Sequence, residues 1–420
     1  MGFTNVIIGA TGSGGATGGI LGKRNRIEVF TGPDAQDRGT NTNWTQCTDQ
    51  VSTWVKPANI NTDVPVKVWV WGPGGNGCHN GQGGRAGGGG GLAIKEIAVA
   101  SVGATETITV GVPTNGSPGS RGSTSSFGSH CSATGGNNGQ NPGNPSGNPN
   151  STGENSNPQS SVNSGYAQGG IGIGGDINRR GGQGGWGDSN PGSGYGGGGA
   201  SAPNPDGIKD GMRGGVTGVP HSPAGGASVN FYGCSPYSHY MAPGGSGTAG
   251  QGMSNSFYSA DRSMGGHGGA GLMGAGGHGS SASRWGNNDS GRPAIHGSDD
   301  GKGTAIWDPN LIFMGGGGGG GGFAIEMSSA RANGVGANGG PGGGGGASTM
   351  YSSSDYGRCG LPGNGGVLGG GGGAAAYQTT SNGGSSGGGG GNGWDGEGRL
   401  WNGTYGSGGC GIVVVTYAVS

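Results

Sequence analysis

The sequence is poor in the side chains that build an ordinary hydrophobic core. Hydrophobic residues make up 29% of the 420 residues, against about 45–50% in a typical globular protein. Charge is also scarce: the chain has 20 basic and 21 acidic residues, and its formal net charge is −1. A nearly neutral chain has no electrostatic reason to bind nucleic acid or an anionic membrane surface. We therefore expect no nucleic-acid partner.

Features that would identify several other protein classes are missing as well. No apolar run approaches the roughly 20 residues of a membrane span, so membrane insertion is not expected. The start, MGFTNVIIGATG, lacks the basic stretch and apolar core of a signal peptide. The 6 cysteines are scattered and form no CxxC pair, so we expect buried free thiols instead of a zinc or redox site. No apolar period of 3.6 residues is present, and no α-helix is predicted.

Glycine is what the chain has in abundance. It contains 120 Gly and 21 Pro, a composition that by itself suggests disorder. Disordered chains, however, are usually rich in charge and poor in aromatic residues. Here charged residues are only 10%, and there are 9 Trp and 11 Tyr. We therefore expect an ordered protein in which the glycines have a structural role.

Alternating segments predict β-strands at both ends of the glycine region. The clearest is VPVKVWVWG, in which every second residue is valine, the period of a β-strand. Further strands are predicted from RIEVF, STWV, LAIKEIAV, TETITVGV, two short pieces in STSSFGSHCSATGG, and the closing GIVVVTYAV. Together they predict an all-β protein with essentially no α-helix.

The glycine runs themselves predict bundled extended helices. Ordering one residue's backbone costs roughly 1–2 kcal/mol, and glycine is at the expensive end. Lateral hydrogen bonds return a net ~0.5–1.5 kcal/mol each, so only a bundle holds. Left-handed helices with three residues per turn can bond sideways in this way, and interior members must be glycine because a Cβ would separate them. We predict interior rods in Gly315–Gly322 and Gly342–Gly346, and surface rods in GGx repeats such as GGQGGWG. The glycines assigned to interior rods are Gly315, Gly318, Gly321, Gly343 and Gly345.

The sequence contains partial matches to cofactor-binding and metal-binding motifs, but such matches are expected by chance in a chain so rich in glycine. NVIIGATGSGGATGG fits a dinucleotide fingerprint, but no alternating βα units follow it. DDGKG lacks the spaced ligands of a calcium loop, and the isolated GGH histidines are expected to face solvent. No nucleophile–base pair can be identified. We predict no cofactor, no metal site, no catalytic residues and no enzymatic activity.

The order of the segments resembles a known family. VKVWVWG is followed by GGGGGLAIKEIAV, TETITVGV, STSSFG and SATGG, and the chain closes with GGCGIVVVTY. This order resembles the glycine-rich domain of many bacteriophage tail-fibre and virion proteins, over about residues 50–420, most specifically at 64–136 and 408–418. The glycine region is also similar to the polyglycine-helix sandwich of T-even-type tail-fibre-tip adhesins, although without clear sequence identity.

The resemblance implies a fold, a location and partners. The fold is an all-β, jelly-roll-like β-sandwich base with a bundle of polyglycine II helices. The location is the virion, outside the cell, and the activity is reversible recognition of the host without chemistry. The partners are other virion proteins and a host receptor, either a glycan or an outer-membrane protein; a homotrimer is implied only by analogy with phage fibres.

The chain divides into four parts, of which the first lies outside the resemblance. Residues 1–50 are assigned to virion attachment, as is common at the N-terminus of phage fibres, and the run Val6, Ile7 and Ile8 is expected to pair with, or insert into, a neighbouring virion protein. Residues 51–136 form the first part of the base, 137–407 the glycine-rich region with aromatic loops, and 408–420 the closing strand.

Aromatic inserts between the glycine runs are the candidate receptor-binding loops. Tyr and Trp beside Ser, Asn and Gly is the composition of adaptable binding loops. The candidate residues are Phe231, Tyr232, Tyr237, His239, Tyr240, Phe257, Tyr258, Tyr351 and Tyr356. An equally supported interpretation is that these aromatics cap the open ends of the rods. The alternative functions are a purely structural virion protein (capsid or vertex fibre, or tail connector) and, ranked lower, a cell-surface or ice-binding glycine-rich protein.

Overall fold

The described part of the protein, seen in a computed structural model, is all-β. It comprises residues 24–31, 50–75, 87–113, 121–137, 168–184, 202–208, 210–211, 239–241, 262–264, 281–283, 305–314, 323–325 and 410–420. Within these ranges the one helical element is a single 3₁₀ turn, Val99–Ser101. None of the helical segments described is long and apolar enough to span a membrane.

The strands predicted from the alternating segments are all present. In chain order the strands are β1 (Arg26–Thr31), β2 (Gln50–Val55), β3 (Val66–Trp71), β4 (Leu92–Ile97), β5 (Thr105–Val110), β6 (Ser125–Phe127), β7 (Cys131–Ala133), β8 (Gly172–Ile173), β9 (Ile177–Arg179), β10 (His239–Met241), β11 (Arg262–Met264), β12 (Ser281–Ser283), β13 (Ala305–Asp308), β14 (Leu311–Met314), β15 (Phe323–Ile325) and β16 (Ile412–Tyr417). The short strands β8 to β15 were not predicted.

Two antiparallel five-stranded sheets form the base. The first sheet has the order β1-β16-β3-β4-β9, and the second has the order β2-β5-β6-β7-β8. The sheets contain pairs of consecutive strands, such as β3 and β4, and pairs of strands distant in sequence, such as β1 and β16. The closing strand β16 therefore lies inside the first sheet, which ties the two ends of the described chain together.

The sheets pack face to face, so the sandwich prediction is confirmed. One continuous core contains side chains from both sheets, including Val68 of β3 and Ile108 of β5, neither of which is exposed. The Trp54 ring packs against Phe127 and Tyr417, with ring centroids 5.8 and 5.7 Å apart. Because the valines of β3 alternate as predicted, their side chains enter this core.

The outer face of the first sheet is also covered. Trp69 and Trp71 lie on this face, and each indole N–H donates to a backbone carbonyl, at Pro205 (2.9 Å) and Pro203 (3.0 Å) respectively. Ile312 of β14 joins the same apolar cluster. Burial on both faces explains why the closing strand reads as an unbroken apolar run: all six of its residues are buried.

The base begins earlier in the chain than residue 51. Strand β1 pairs along its whole length with β16, from Arg26 opposite Tyr417 to Thr31 opposite Ile412. These residues belong to the first sheet although they lie within the segment 1–50 that was assigned to attachment. Of that segment, residues 1–23 and 32–49 are outside the described ranges.

Candidate functional site

The two ends of the sandwich differ in what connects the strands. We call the end where β3 stops and β4 starts the glycine pole, and the opposite end the turn pole. The connections at the turn pole are short: residues 56–65, 98–104, 128–130 and 174–176. The connections at the glycine pole are residues 32–49, 72–91, 111–124, 134–171 and 180–411. Nearly all of the glycine-rich sequence therefore leaves and re-enters the base at one end.

At the glycine pole the strands continue into glycine segments that bond sideways. We call residues 72–75, 88–91, 134–137, 168–171 and 181–182 the rod cluster. The central segment, 88–91, shows the pattern most clearly. The Gly88 N–H donates to the carbonyl oxygen of Asn137 (3.0 Å), and the Gly91 N–H donates to that of Thr134 (3.1 Å). Residues three apart in one segment thus bond to residues three apart in its neighbour.

The same spacing recurs on another side of this segment. Its Gly88 carbonyl accepts from the Gly75 N–H (2.8 Å), and its Gly91 carbonyl accepts from the Gly72 N–H (3.0 Å). A β-strand repeats every two residues and bonds only to its two flanking strands. A repeat of three residues is that of the extended threefold helix.

The residue between these positions bonds in other directions. The Gly89 N–H donates to the Gly182 carbonyl (2.9 Å), and the Gly89 carbonyl accepts from the Gly170 N–H (2.8 Å). One segment is therefore bonded to four neighbours, which no strand in a sheet can achieve. This lateral arrangement is the polyglycine II packing that the glycine runs predict.

The cluster has no room for side chains at its inner positions. A Cβ on Gly90 would overlap the Gly72 carbonyl, and a Cβ on Gly136 would overlap the Gly88 carbonyl. A Cβ on Gly170 would collide with the Thr134 carbonyl oxygen. In each case the obstacle is backbone of the adjacent segment, which cannot rotate away. Glycine is required here for close approach of backbones, as expected, and not for an unusual φ angle.

The rods in the described structure are not the ones nominated first from the sequence. Gly315, Gly318, Gly321, Gly343 and Gly345 lie outside the described residues, and their assignment stays a prediction. Of the GGQGGWG repeat, Gly181 and Gly182 are buried members of the cluster. The segment 134–137 contains only two glycines, and a two-glycine stretch gives no strong rod signal in the sequence.

Most candidate binding residues also fall outside the described ranges. These are Phe231, Tyr232, Tyr237, Phe257, Tyr258, Tyr351, Tyr356 and the attachment residues Val6, Ile7 and Ile8. His239 and Tyr240 lie in β10, which pairs antiparallel with β15. Strand β15 directly follows the Gly315–Gly322 run in the sequence. The backbone of one aromatic insert is therefore paired with the end of the longest glycine run.

The described titratable side chains include a histidine–carboxylate pair and a buried thiol. At the turn pole, His130 Nε2 lies 3.1 Å from Glu106 Oε1, and the same carboxylate oxygen accepts the Gly103 N–H (2.7 Å). Burial raises the pKa of the adjacent Cys131 thiol to about 12, so it stays protonated and is a poor nucleophile. Among the described residues, no group of three or more His, Cys, Asp or Glu side chains is placed to hold a metal ion.

Comparison with known proteins does not add a family. No protein-family model matches the chain, and no curated protein is significantly similar to it.

Two structural features of the base were missed by the sequence patterns. The first is the segment 202–208, which we call the clasp: the carbonyls of Pro203 and Pro205 accept hydrogen bonds from the indole N–H groups of Trp71 and Trp69 in β3. The second is the β13–β14 hairpin, whose Asn310 is bonded to Arg24 in both directions (3.0 and 2.8 Å). The sequence AIWDPNLIFM carries a usable signal for the hairpin, since Asp-Pro-Asn between two apolar runs is a turn sequence.

Proposed function

We propose that this protein is a bacteriophage virion fibre or adhesin that recognises the host surface without enzymatic chemistry. The observation that carries the proposal is the difference between the two poles of the sandwich. Long glycine-rich connections, which contain the aromatic inserts, all leave from the glycine pole. Residue 24, where the N-terminal segment joins the base, lies at the turn pole, since Asn25 bonds to the carbonyl of Tyr417 (3.0 Å).

Such a polarity suits a protein that is held at one end and exposes loops at the other. One part of the longest connection, the β13–β14 hairpin, returns to the turn pole, where Asn310 bonds to Arg24. In this proposal the rod cluster is the support for the loops. Its backbone segments are tightly packed and hydrogen-bonded to one another, so it is rigid although it contains few side chains. Binding loops are usually held on a rigid scaffold in this way. In this proposal residues 1–23 attach the protein to the particle, and the receptor is a glycan or an outer-membrane protein.

A competition experiment tests the proposal. Purified full-length protein is added to host bacteria before the phage, and the rate of phage adsorption is measured. We expect adsorption to fall in proportion to the protein bound to the cells. A variant with Tyr232, Tyr237 and Tyr240 changed to Ser should bind cells at least tenfold more weakly, because aromatic contacts dominate the energy of such loops.

The matched control carries changes at the turn pole. Ser129→Ala alters an exposed residue of the β6–β7 turn and should leave cell binding unchanged. If the unmodified protein neither binds cells nor slows adsorption, host recognition by this protein is refuted.

A purely structural virion role is the second candidate. One observation favours it: the aromatic insert around Tyr240 is paired through β10 with β15, as a cap on the glycine run requires. Under this function the Tyr-to-Ser variant loses thermal stability while cell binding is absent from the start.

A further inference from the structure

Among the described edge strands, β2 is neither short nor charged and contains no proline. The edge strand β8 has only two residues and β9 only three, and short edges resist pairing. Strand β1 carries Arg26 and Glu28, charges that discourage a neighbour. Strand β2, QVSTWV, has six residues and contains no charge, proline or glycine.

The exposed face beside that edge is neutral and β-branched. Val51 and Val55 are 63% and 60% exposed, and Thr53 between them is exposed as well. In the described structure β2 pairs with β5 on one side and with no strand on the other. A long, uncharged, β-branched edge is the kind that accepts an added strand.

The N-terminal segment joins the base at the turn pole, where β2 also ends. The chain enters at Arg24, whose backbone bonds to Asn310 of the hairpin that covers the outer face of the first sheet. Tyr417, opposite Arg26 at the start of β1, packs its ring 5.7 Å from the Trp54 ring of β2, so the start of β1 and the end of β2 lie at the same pole. Residues 9–23 could extend about 50 Å at ~3.3 Å per residue, more than twice the ~20 Å length of a six-residue strand.

The composition of the N-terminal segment matches the edge. Residues 1–22 contain no charged side chain, and their one apolar run is Val6, Ile7 and Ile8, which are all β-branched. β-branched residues favour strands. We propose that this run of the same chain pairs along the free edge of β2 as a sixth strand of the second sheet.

The tether favours the chain's own segment over a second copy. A covalent tether of this length gives an effective concentration of about a millimolar, far above the roughly micromolar concentration of a second copy in solution. The inference goes beyond the proposed function, and it changes how attachment works: Val6, Ile7 and Ile8 must leave β2 before they can pair with another virion protein.

Residue-resolved amide hydrogen exchange on the full chain tests this. Alternate amides of β2 face β5 and are protected in any case; the other amides face outward. We expect the outward amides to be protected in the unmodified protein and to exchange at least tenfold faster in Ile7→Pro, because proline cannot donate to a ladder. Deleting residues 2–10 should give the same loss.

The control is Ile20→Pro, the same substitution in the same segment but outside the run. It should leave the outward amides protected, and the amides facing β5 should be unchanged in every variant. Three results would overturn the proposal: outward amides that exchange freely in the unmodified protein, protection that survives Ile7→Pro, or protection that appears only as protein concentration rises, which would identify a second copy as the partner.

Discussion

Replacing Gly170 by alanine should strongly destabilise the protein. An added Cβ would overlap the Thr134 carbonyl oxygen and lie 2.6 Å from the Gly91 nitrogen and 2.8 Å from the Gly135 carbonyl oxygen. All three obstacles are backbone atoms. To restore ordinary contact the segment 168–171 must move away from its neighbours by about 1.5 Å, and a hydrogen bond of 2.8 Å stretched by that much is lost.

The magnitude follows from the bonds that this movement breaks. The segment makes four lateral backbone hydrogen bonds, at 2.8 Å (Asn137 to Gln168), 2.9 Å (Thr134 to Ile171), 2.8 Å (Gly170 to Gly89) and 3.0 Å (Gly181 to Gly170). At a net ~1 kcal/mol each, their loss costs about 4 kcal/mol, and groups left buried without partners add to it. The total free energy of unfolding of a typical protein is only about 5–15 kcal/mol.

Urea unfolding followed by tryptophan fluorescence measures the effect, since Trp54, Trp69 and Trp71 are buried. The matched control is Gly174→Ala, which has a φ of 74° in a turn outside the cluster and a nearest obstacle at 3.1 Å. The control should cost about 1–2 kcal/mol, the usual penalty for a left-handed non-glycine residue. If Gly170→Ala destabilises the protein no more than Gly174→Ala, the close-packed rod interpretation is wrong.

Three further results are expected. Burial and the hydrogen bond from the Tyr417 hydroxyl to Glu28 Oε1 (2.6 Å) raise the pKa of Tyr417; the folded state keeps its proton above pH ~10, where the unfolded chain loses it. The stability that Tyr417 contributes is therefore present below about pH 10 and falls as the pH rises further. Between pH 8 and 11, the free energy of unfolding should decline more steeply with pH for the unmodified protein than for Tyr417→Phe. Equal slopes would contradict the raised pKa of Tyr417. The buried Cys131, with its pKa raised to about 12, should resist alkylation at pH 8 in the folded protein and react after unfolding, as mass spectrometry of its peptide would show; rapid alkylation in the folded state would argue against its burial. Trp71→Phe removes the hydrogen bond to Pro203 (3.0 Å) and should cost about 1–3 kcal/mol, with faster amide exchange at residues 202–208; unchanged exchange there would mean that the clasp does not hold this segment.

The sequence predicted the strands of the base better than it predicted what covers them. Alternation in VKVWVW and TETITV identifies strands because a half-buried sheet imposes a period of two. It could not show that Trp69 and Trp71 would also be buried, since that depends on Pro203 and Pro205 returning from more than a hundred positions later. Contacts at that separation leave no local pattern.

The glycine pole was predictable in kind but not in position. Glycine is needed where backbone approaches backbone, and that rule correctly indicated threefold rods. The rule could not identify which glycines are enclosed. Whether Gly90 or Gly170 is enclosed depends on the register of the neighbouring segments, and not on the length of its own glycine run. The short strand β8 was missed for the same reason: its Gly172 has a Leu92 carbonyl where a side chain would go.

The described glycine segments bond with a repeat of three residues. Scalar couplings across hydrogen bonds, measured by NMR on the isotope-labelled protein, identify the acceptor of each amide directly. We expect the Gly88 and Gly91 amides to couple to the carbonyls of Asn137 and Thr134, and the Gly89 amide to couple to Gly182. Couplings from Gly88 and Gly89 into one and the same neighbouring segment, or partners spaced two residues apart as in a sheet, would contradict this repeat.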